Sequence, residues 1–294
     1  MSTTIDTIMI CREAASRMRR NVLKLAFLSG PKGAHLGGCL SVIELLATLY
    51  GHMKIKPENP TWPGRDRFIL SKGHASLAQY TALEAYGLIG EKELHTFAQN
   101  GGQLACASSL APGLAIEFSN GTLGFGLSYA VGLALAVKKS RTPYHVYVLM
   151  GDGECNEGSV WEAAMSASHF KLSNLTAIVD LNSLQSDGRT SDIMNVQLEW
   201  MWKGFGWDVI IVNDGHSITQ LSDAFRLPYV EMKPRVIIAR TVKGKGVSFM
   251  ENTNKWHHSY LSKEDFDAAL MEIDGPLHGG EGSGVRLIKQ QNPA

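Results

Sequence analysis

The chain has 294 residues, enough to bury a large core as one large α/β domain or two small ones. Lysine plus arginine number 28 and aspartate plus glutamate also 28, which removes any electrostatic case for a nucleic-acid or acidic-membrane partner. No apolar run has membrane-spanning length, no signal-peptide pattern opens the chain, and Cys11, Cys39, Cys106 and Cys155 make neither a metal-like pair nor a secreted framework, so a cytoplasmic protein is expected.

From about Ile5 to Leu28 a stripe of Ile8, Cys11, Ala15, Met18, Val22 and Leu25 recurs at helical period. A glycine-rich turn follows, then a predicted helix from Ser41 to Tyr50 with Ser41 as its N-cap. Pro57, Pro60 and Pro63 predict an irregular loop before a short strand, Arg67 to Leu70. Helices are predicted over His74–Tyr86, Glu91–Ala98 and Leu123–Lys139, with an irregular stretch from Gly101 to Asn120.

Next comes a strand–helix–strand unit: strand Tyr144–Met150, helix Gly158–Leu172 and strand Leu175–Asp180. Strands Trp207–Val212 and Arg235–Ala239 flank a helix that begins at Ile218 and breaks at Pro228. This alternation predicts an α/β fold: a doubly wound, mostly parallel sheet with helices on both faces.

Gly151-Asp152-Gly153 and Asp180-Leu181-Asn182 stand at the ends of two neighbouring strands, where open α/β sheets bind ligands. Mg²⁺ prefers octahedral oxygen coordination and shares it between a few protein groups and phosphate oxygens. Asp152 and Asn182 would supply side-chain oxygens, and a main-chain carbonyl near Leu184 a third. The helix opening near Glu157 would offer N–H groups and a positive dipole end to a diphosphate. An ordinary glycine turn with Asp152 as a helix cap fits the same spacing.

The wording around these strand ends resembles the amino-terminal half of a transketolase. The matching blocks are Ser71-Lys72-Gly73-His74-Ala75, Gly151 to Gly158, Asp180 to Gly188, and Lys243 to Asn252 followed by Trp256-His257-His258. They come in family order from about His35 to His258. The resemblance implies a thiamine-diphosphate-binding fold over residues 1–270, with a glycine-rich tail over 271–294. It implies thiamine diphosphate and Mg²⁺ (or Ca²⁺ or Mn²⁺) as cofactors. A whole transketolase needs roughly twice this length, so it also implies a separate carboxy-terminal subunit, in a heterotetramer, that supplies the activating glutamate. The chemistry implied is transfer of a two-carbon ketol unit between a ketose or ketose-phosphate donor and an aldose, with the cofactor as electron sink.

Residue by residue, the resemblance makes Asp152, Asn182 and Leu184 the metal ligands. It assigns cofactor contacts to His74, Gly121, Thr122, Leu123, Asp152, Gly153, Glu154, Asn182, Leu184 and His257. His35, His74 and His257 would orient hydroxyls and manage protons, with His258 leaving the last position ambiguous by one residue. Glu157 matches a family glutamate at the subunit interface, whereas His216 reads as structural. Gly121 to Gly124 reads equally as a helix start with a threonine cap.

Two departures bear on the donor. A family Gly-His-Pro segment is replaced by Leu104 to Gly113, with Ala107 roughly at the histidine, and Phe125 stands for a glutamine. Both changes remove hydrogen-bonding groups, so a non-standard donor is expected. The other readings are a subunit of an α-keto-acid decarboxylase or carboligase, a regulatory subunit without catalysis, and a dinucleotide-binding protein. The last lacks the third glycine of its fingerprint after Gly151-Asp152-Gly153.

Overall fold

The computed structural model describes residues 4–140, 142–275 and 285–287. Helix α1 (Thr4–Leu28) precedes α2 (Leu36–Leu40) and α3 (Ile43–His52). Then come β1 (Arg67–Leu70), α4 (Ser76–Ala85), α5 (Glu91–Leu94) and α6 (Phe125–Lys139). The central unit is β2 (Val146–Gly151), α7 (Gly158–His169) and β3 (Leu175–Leu181). After it run α8 (Thr190–Ile193), α9 (Leu198–Gly204), β4 (Asp208–Val212), α10 (Ile218–Arg226), β5 (Arg235–Arg240), α11 (Lys263–Asp274) and β6 (Val285–Leu287).

The strands lie in the order β1-β2-β3-β5-β4-β6. All neighbours are parallel except β6, which runs antiparallel to β4. β2 is buried along its whole length, as expected of a strand covered on both faces. Side chains alternate between two cores. Leu149, Ile178 and Ile237 pack with α1, α3, α4 and α10, while Val148, Val179 and Ile238 pack with α6, α7 and Trp202 of α9. Among the described residues no helix is long and apolar enough to cross a membrane.

Most elements form where their periodicity puts them; the stripe from Cys11 to Leu25 is buried on α1. Ser41 differs from expectation. The α3 N-cap is Val42, and the Ser41 hydroxyl donates instead to Asp180 Oδ2 at 2.7 Å. A buried carboxylate 139 residues away outcompetes the local cap. Thr122 caps no helix either, since α6 begins after Gly124 at φ 84°, a left-handed position suited to glycine. Helix α11 runs through residue 270, and the run Gly279–Gly284 lies outside the described residues.

Candidate active site

Parallel pairing places Gly151 level with Asp180, and Leu181 level with Arg240, so three strand tips end together. Asp152 caps the short turn after β2, its Oδ1 accepting from the Gly153 N–H at 2.8 Å. Its other oxygen accepts from the backbone of Ser183, beyond β3. Asn182 donates through Nδ2 to Asp180 Oδ2 at 2.8 Å and accepts at Oδ1 from the Leu184 N–H at 3.1 Å. The two oxygen groups thus share one network across two strand tips. Cap and ligand are compatible roles for Asp152.

Asp152 is only 4% exposed. Burial, reinforced by Asp180, pushes its carboxyl up to about 6. Burial also raises Asp180, but Lys72 overrides it: ion-paired to Asp180, it holds that carboxyl below its ordinary value. Lys72 is therefore committed to Asp180, and Asp152 is the carboxylate that a hard cation would relieve. Beside it, Gln185 Nε2 is a buried donor with no partner among the described residues, and a Cβ at Gly153 would lie 2.7 Å from Gln185 Cγ. A free N–H over a glycine cradle suits a phosphate oxygen. The residues present fit a metal-bound diphosphate.

Four histidines converge on the same edge. The His35 ring centroid is 5.7 Å from His74, 5.5 Å from His257 and 4.5 Å from His258. His74 and His257 are 5.6 Å apart. Lys243 Nζ lies 3.0 Å from His257 Nδ1 and donates to the Gln185 carbonyl at 3.1 Å. The ammonium donates to an unprotonated Nδ1, which leaves the His257 proton on Nε2. Burial, with help from neighbouring cations, lowers His35 and His257 to about 4 and His74 well below its usual range. Burial and Lys72 bring Lys243 down to about 8. At neutral pH His35, His74 and His257 are neutral imidazoles beside the Lys243 ammonium, able to accept or donate hydrogen bonds without carrying charge of their own.

Small residues permit this crowding. A Cβ at Gly38 would lie 2.8 Å from His74 Cδ2, and one at Gly37 3.1 Å from Lys243 Cγ. On the other flank, Glu154 is buried and accepts from the Ser71 hydroxyl, the Gly124 N–H at 2.8 Å and the Gly151 N–H at 3.1 Å. It braces the α6 start against the β2 tip. Gly121 and Thr122 are exposed and Leu123 half-buried just before that brace.

Glu157 stands apart from the histidines. It is exposed at the start of α7, beside the Gly124 turn, where an added Cβ would lie 2.7 Å from the Glu157 Cβ. Ala107 and Phe125 are also exposed. The Ala107 loop is tied to the turn that bears His74: Ser76 donates to the Cys106 carbonyl at 2.6 Å, and Asn120 to Ser108 Oγ at 2.7 Å.

The sequence does not single out Lys72, Lys243, Asp180 or Gln185, which the structure places in this network. Lys72 and Lys243 were visible only as letters inside motifs. A lysine flanked by glycine at a strand end was the available signal, and exposures of only 1% and 2% are what give it weight.

Residues 12–273 match the family described as transketolase, thiamine diphosphate binding domain. The chain is 40% identical over 263 residues to one of the subunits of the apulose-4-phosphate transketolase of Phocaeicola vulgatus, covering 88% of this chain and 92% of that one. It is 41% identical over 243 residues to a 6-deoxy-6-sulfo-D-fructose transketolase subunit of a Clostridium strain, covering 82% and 88%. Among solved structures it superposes on transketolase from Leishmania mexicana with a TM-score of 0.80 at 29% identity, covering 90% of this chain and 41% of that one. It thus spans about two fifths of that longer enzyme.

Proposed function

Because this chain belongs to the transketolase family, by its thiamine-diphosphate-binding domain, we propose that it is the amino-terminal subunit of a two-chain transketolase. It works with a separate carboxy-terminal subunit, in a cytoplasmic heterotetramer, to move a two-carbon ketol unit from a ketose or ketose phosphate to an aldose. Two relatives whose length it nearly matches are each named as one subunit of a transketolase, which supports a separate second subunit. Free cysteines at 11, 39, 106 and 155 support a reducing compartment.

The observation that carries this reading is the shared network of Asp152 and Asn182 at the tips of β2 and β3, facing Lys243 and the histidines. Asp152 Oδ, Asn182 Oδ1 and the Leu184 carbonyl would hold Mg²⁺. Gly153, Glu154, His74 and His257, with Gln185, would flank the diphosphate, and Gly121, Thr122 and Leu123 the cofactor's far side. When bound, thiamine diphosphate supplies the electron sink for cleaving the bond beside a ketone. His35, His74 and His257 would orient donor hydroxyls and pass protons as neutral imidazoles. Glu157, exposed beside Gly124, would meet the partner subunit. The domain is taken as residues 1–270 with a glycine-rich tail over 271–294, although α11 continues to Asp274 and Val285–Leu287 pair with β4.

The donor is proposed to be non-standard. The Ala107 and Phe125 side chains offer no hydrogen bond where the family resemblance leads to the expectation of a histidine and a glutamine. The relatives named for apulose 4-phosphate and 6-deoxy-6-sulfo-D-fructose are in keeping with a range of donors in this group.

Calorimetric titration of thiamine diphosphate with Mg²⁺ tests the reading, with this chain alone and mixed with a candidate partner subunit. Tight binding in the mixture, lost in Asp152→Ala, is expected. No binding in either sample would overturn it.

A further inference from the structure

His216 sits in the turn after β4, outside the histidine cluster, yet its bonds lead there. Its Nδ1 lies 2.9 Å from Glu44 Oε2 on α3, and its Nε2 is 2.8 Å from the Val242 backbone nitrogen. A backbone N–H can only donate, so Nε2 is the acceptor and Nδ1 carries the proton toward Glu44. Glu44 is held in turn by Arg19, which ion-pairs with it and also donates to the Lys245 carbonyl. Burial would raise the Glu44 carboxyl, but Arg19 and His216 together bring it down to about 2, so it is ionised throughout the working range.

These contacts grip one loop along its length. Gly215 N–H donates to the Arg240 carbonyl at 2.7 Å, His216 takes the Val242 N–H, and Arg19 takes the Lys245 carbonyl. Between the grips lie two side chains of the site. The Thr241 hydroxyl donates to Asp180, and Lys243 Nζ meets His257 and the Gln185 carbonyl. Gly244 and Gly246 take left-handed conformations at φ 80° and 92°, so the loop follows a path that its own backbone preferences would not select for other residues. A Cβ at Gly246 would lie 3.0 Å from Arg19 Nη1, so the glycine lets the guanidinium close on the loop.

We propose that Glu44 and His216 are positioning residues: with Arg19 they form a clamp that sets Lys243 against His257. The clamp's importance for catalysis rests on the transketolase reading above, whereas its geometry does not. Lys243 Nζ bonds to Gln185 and His257, groups of the site itself. Its place is decided by where the backbone from Thr241 to Gly246 is pinned.

The test reads the ionisation of His257 in the full chain by NMR with labelled histidine. His257 faces Lys243, Lys72, His258 and Asp187, with His35 and His74 beside it. Its titration lies near 4, and after burial the Lys243 charge is the largest cause. In Lys243→Met the midpoint should move upward, toward the ordinary 6.5. His216→Leu, which removes both bonds, should move it the same way with Lys243 still present. His216→Gln offers one acceptor and one donor and should restore the wild-type midpoint. If His216→Leu fails to fold, His216→Asn replaces it, because the shorter amide cannot span both partners. An unchanged His257 midpoint in a folded leucine or asparagine variant, with Lys243→Met shifted, would overturn the clamp. Wild-type protein and partner that bind no thiamine diphosphate would overturn the functional reading and leave the clamp result standing.

Discussion

The Asp152 carboxylate accepts a hydrogen bond from the Ser183 backbone N–H at 2.6 Å, joining the tip of β2 to the tip of β3. Ser183 holds φ at 63°, an uncommon value for a residue with a side chain. The backbone is turned to offer its N–H to a carboxylate that would itself hold the cation. Strain of this kind collects at functional sites, where surrounding structure enforces it.

Asp152 should weaken the metal-free protein. Its folded value of about 6 exceeds the ordinary 3.8, so the folded state binds this proton more tightly than the unfolded chain. Stability from this group is therefore lost as pH rises from about 4 to about 6, by an amount on the order of 3 kcal/mol. Asp152→Asn should raise the metal-free melting temperature at pH 7 and abolish Mg²⁺-dependent cofactor binding. Thermal melts showing no gain at pH 7 would contradict the cost assigned to this buried charge.

Lys72 and Asp180 form a pair with side-chain exposures of 1% and 0%. Lys72→Met strands a buried carboxylate and should cost about 3–5 kcal/mol. Adding Asp180→Asn should recover part of that loss, because an amide can still bond Ser41 and Thr241. Urea unfolding of the two variants decides it, and a single variant within about 0.5 kcal/mol of wild type, the scatter of surface changes, would count against the pair.

The histidines pull the pH dependence the other way. His35 and His257 titrate near 4 when folded, against 6.5 ordinarily, so the folded state resists their protonation. Their contribution is present above 6.5 and lost as pH falls toward 4, by about 1–2 kcal/mol each after allowing for solvent screening. Because Asp152 slopes oppositely over much of this window, Asp152→Asn is the background to use. There, unfolding free energy should fall between pH 6.5 and 4, and His35→Asn with His257→Asn should reduce that slope, the rest coming from His74, His52 and His145, whose values burial also lowers.

Ala107 and Phe125 carry the donor prediction. Restoring polar groups with Ala107→His and Phe125→Gln should change the ratio of kcat/KM between a standard and a non-standard ketose by about 5-fold, since a hydrogen bond is worth about 1 kcal/mol net. The assay uses the chain with its partner subunit. An unchanged ratio would remove the link between these positions and donor choice.

The sequence by itself determined the alternation of strands and helices, because hydrophobic period is local and survives without contacts. It also determined the oxygen pair at the ends of β2 and β3, since Asp152 and Asn182 sit at strand tips that any parallel sheet would align. Only the tertiary structure decided that β5 lies between β3 and β4, because the two apolar strands look alike in sequence and position is set by crossover packing. It alone turned Ser41 from a helix cap into a partner of Asp180, and gave Lys72 and Lys243 their roles. A charged side chain's meaning depends on burial and on which charges face it, and residues 72, 180, 243 and 257 meet only once the sheet has closed their separation in the chain.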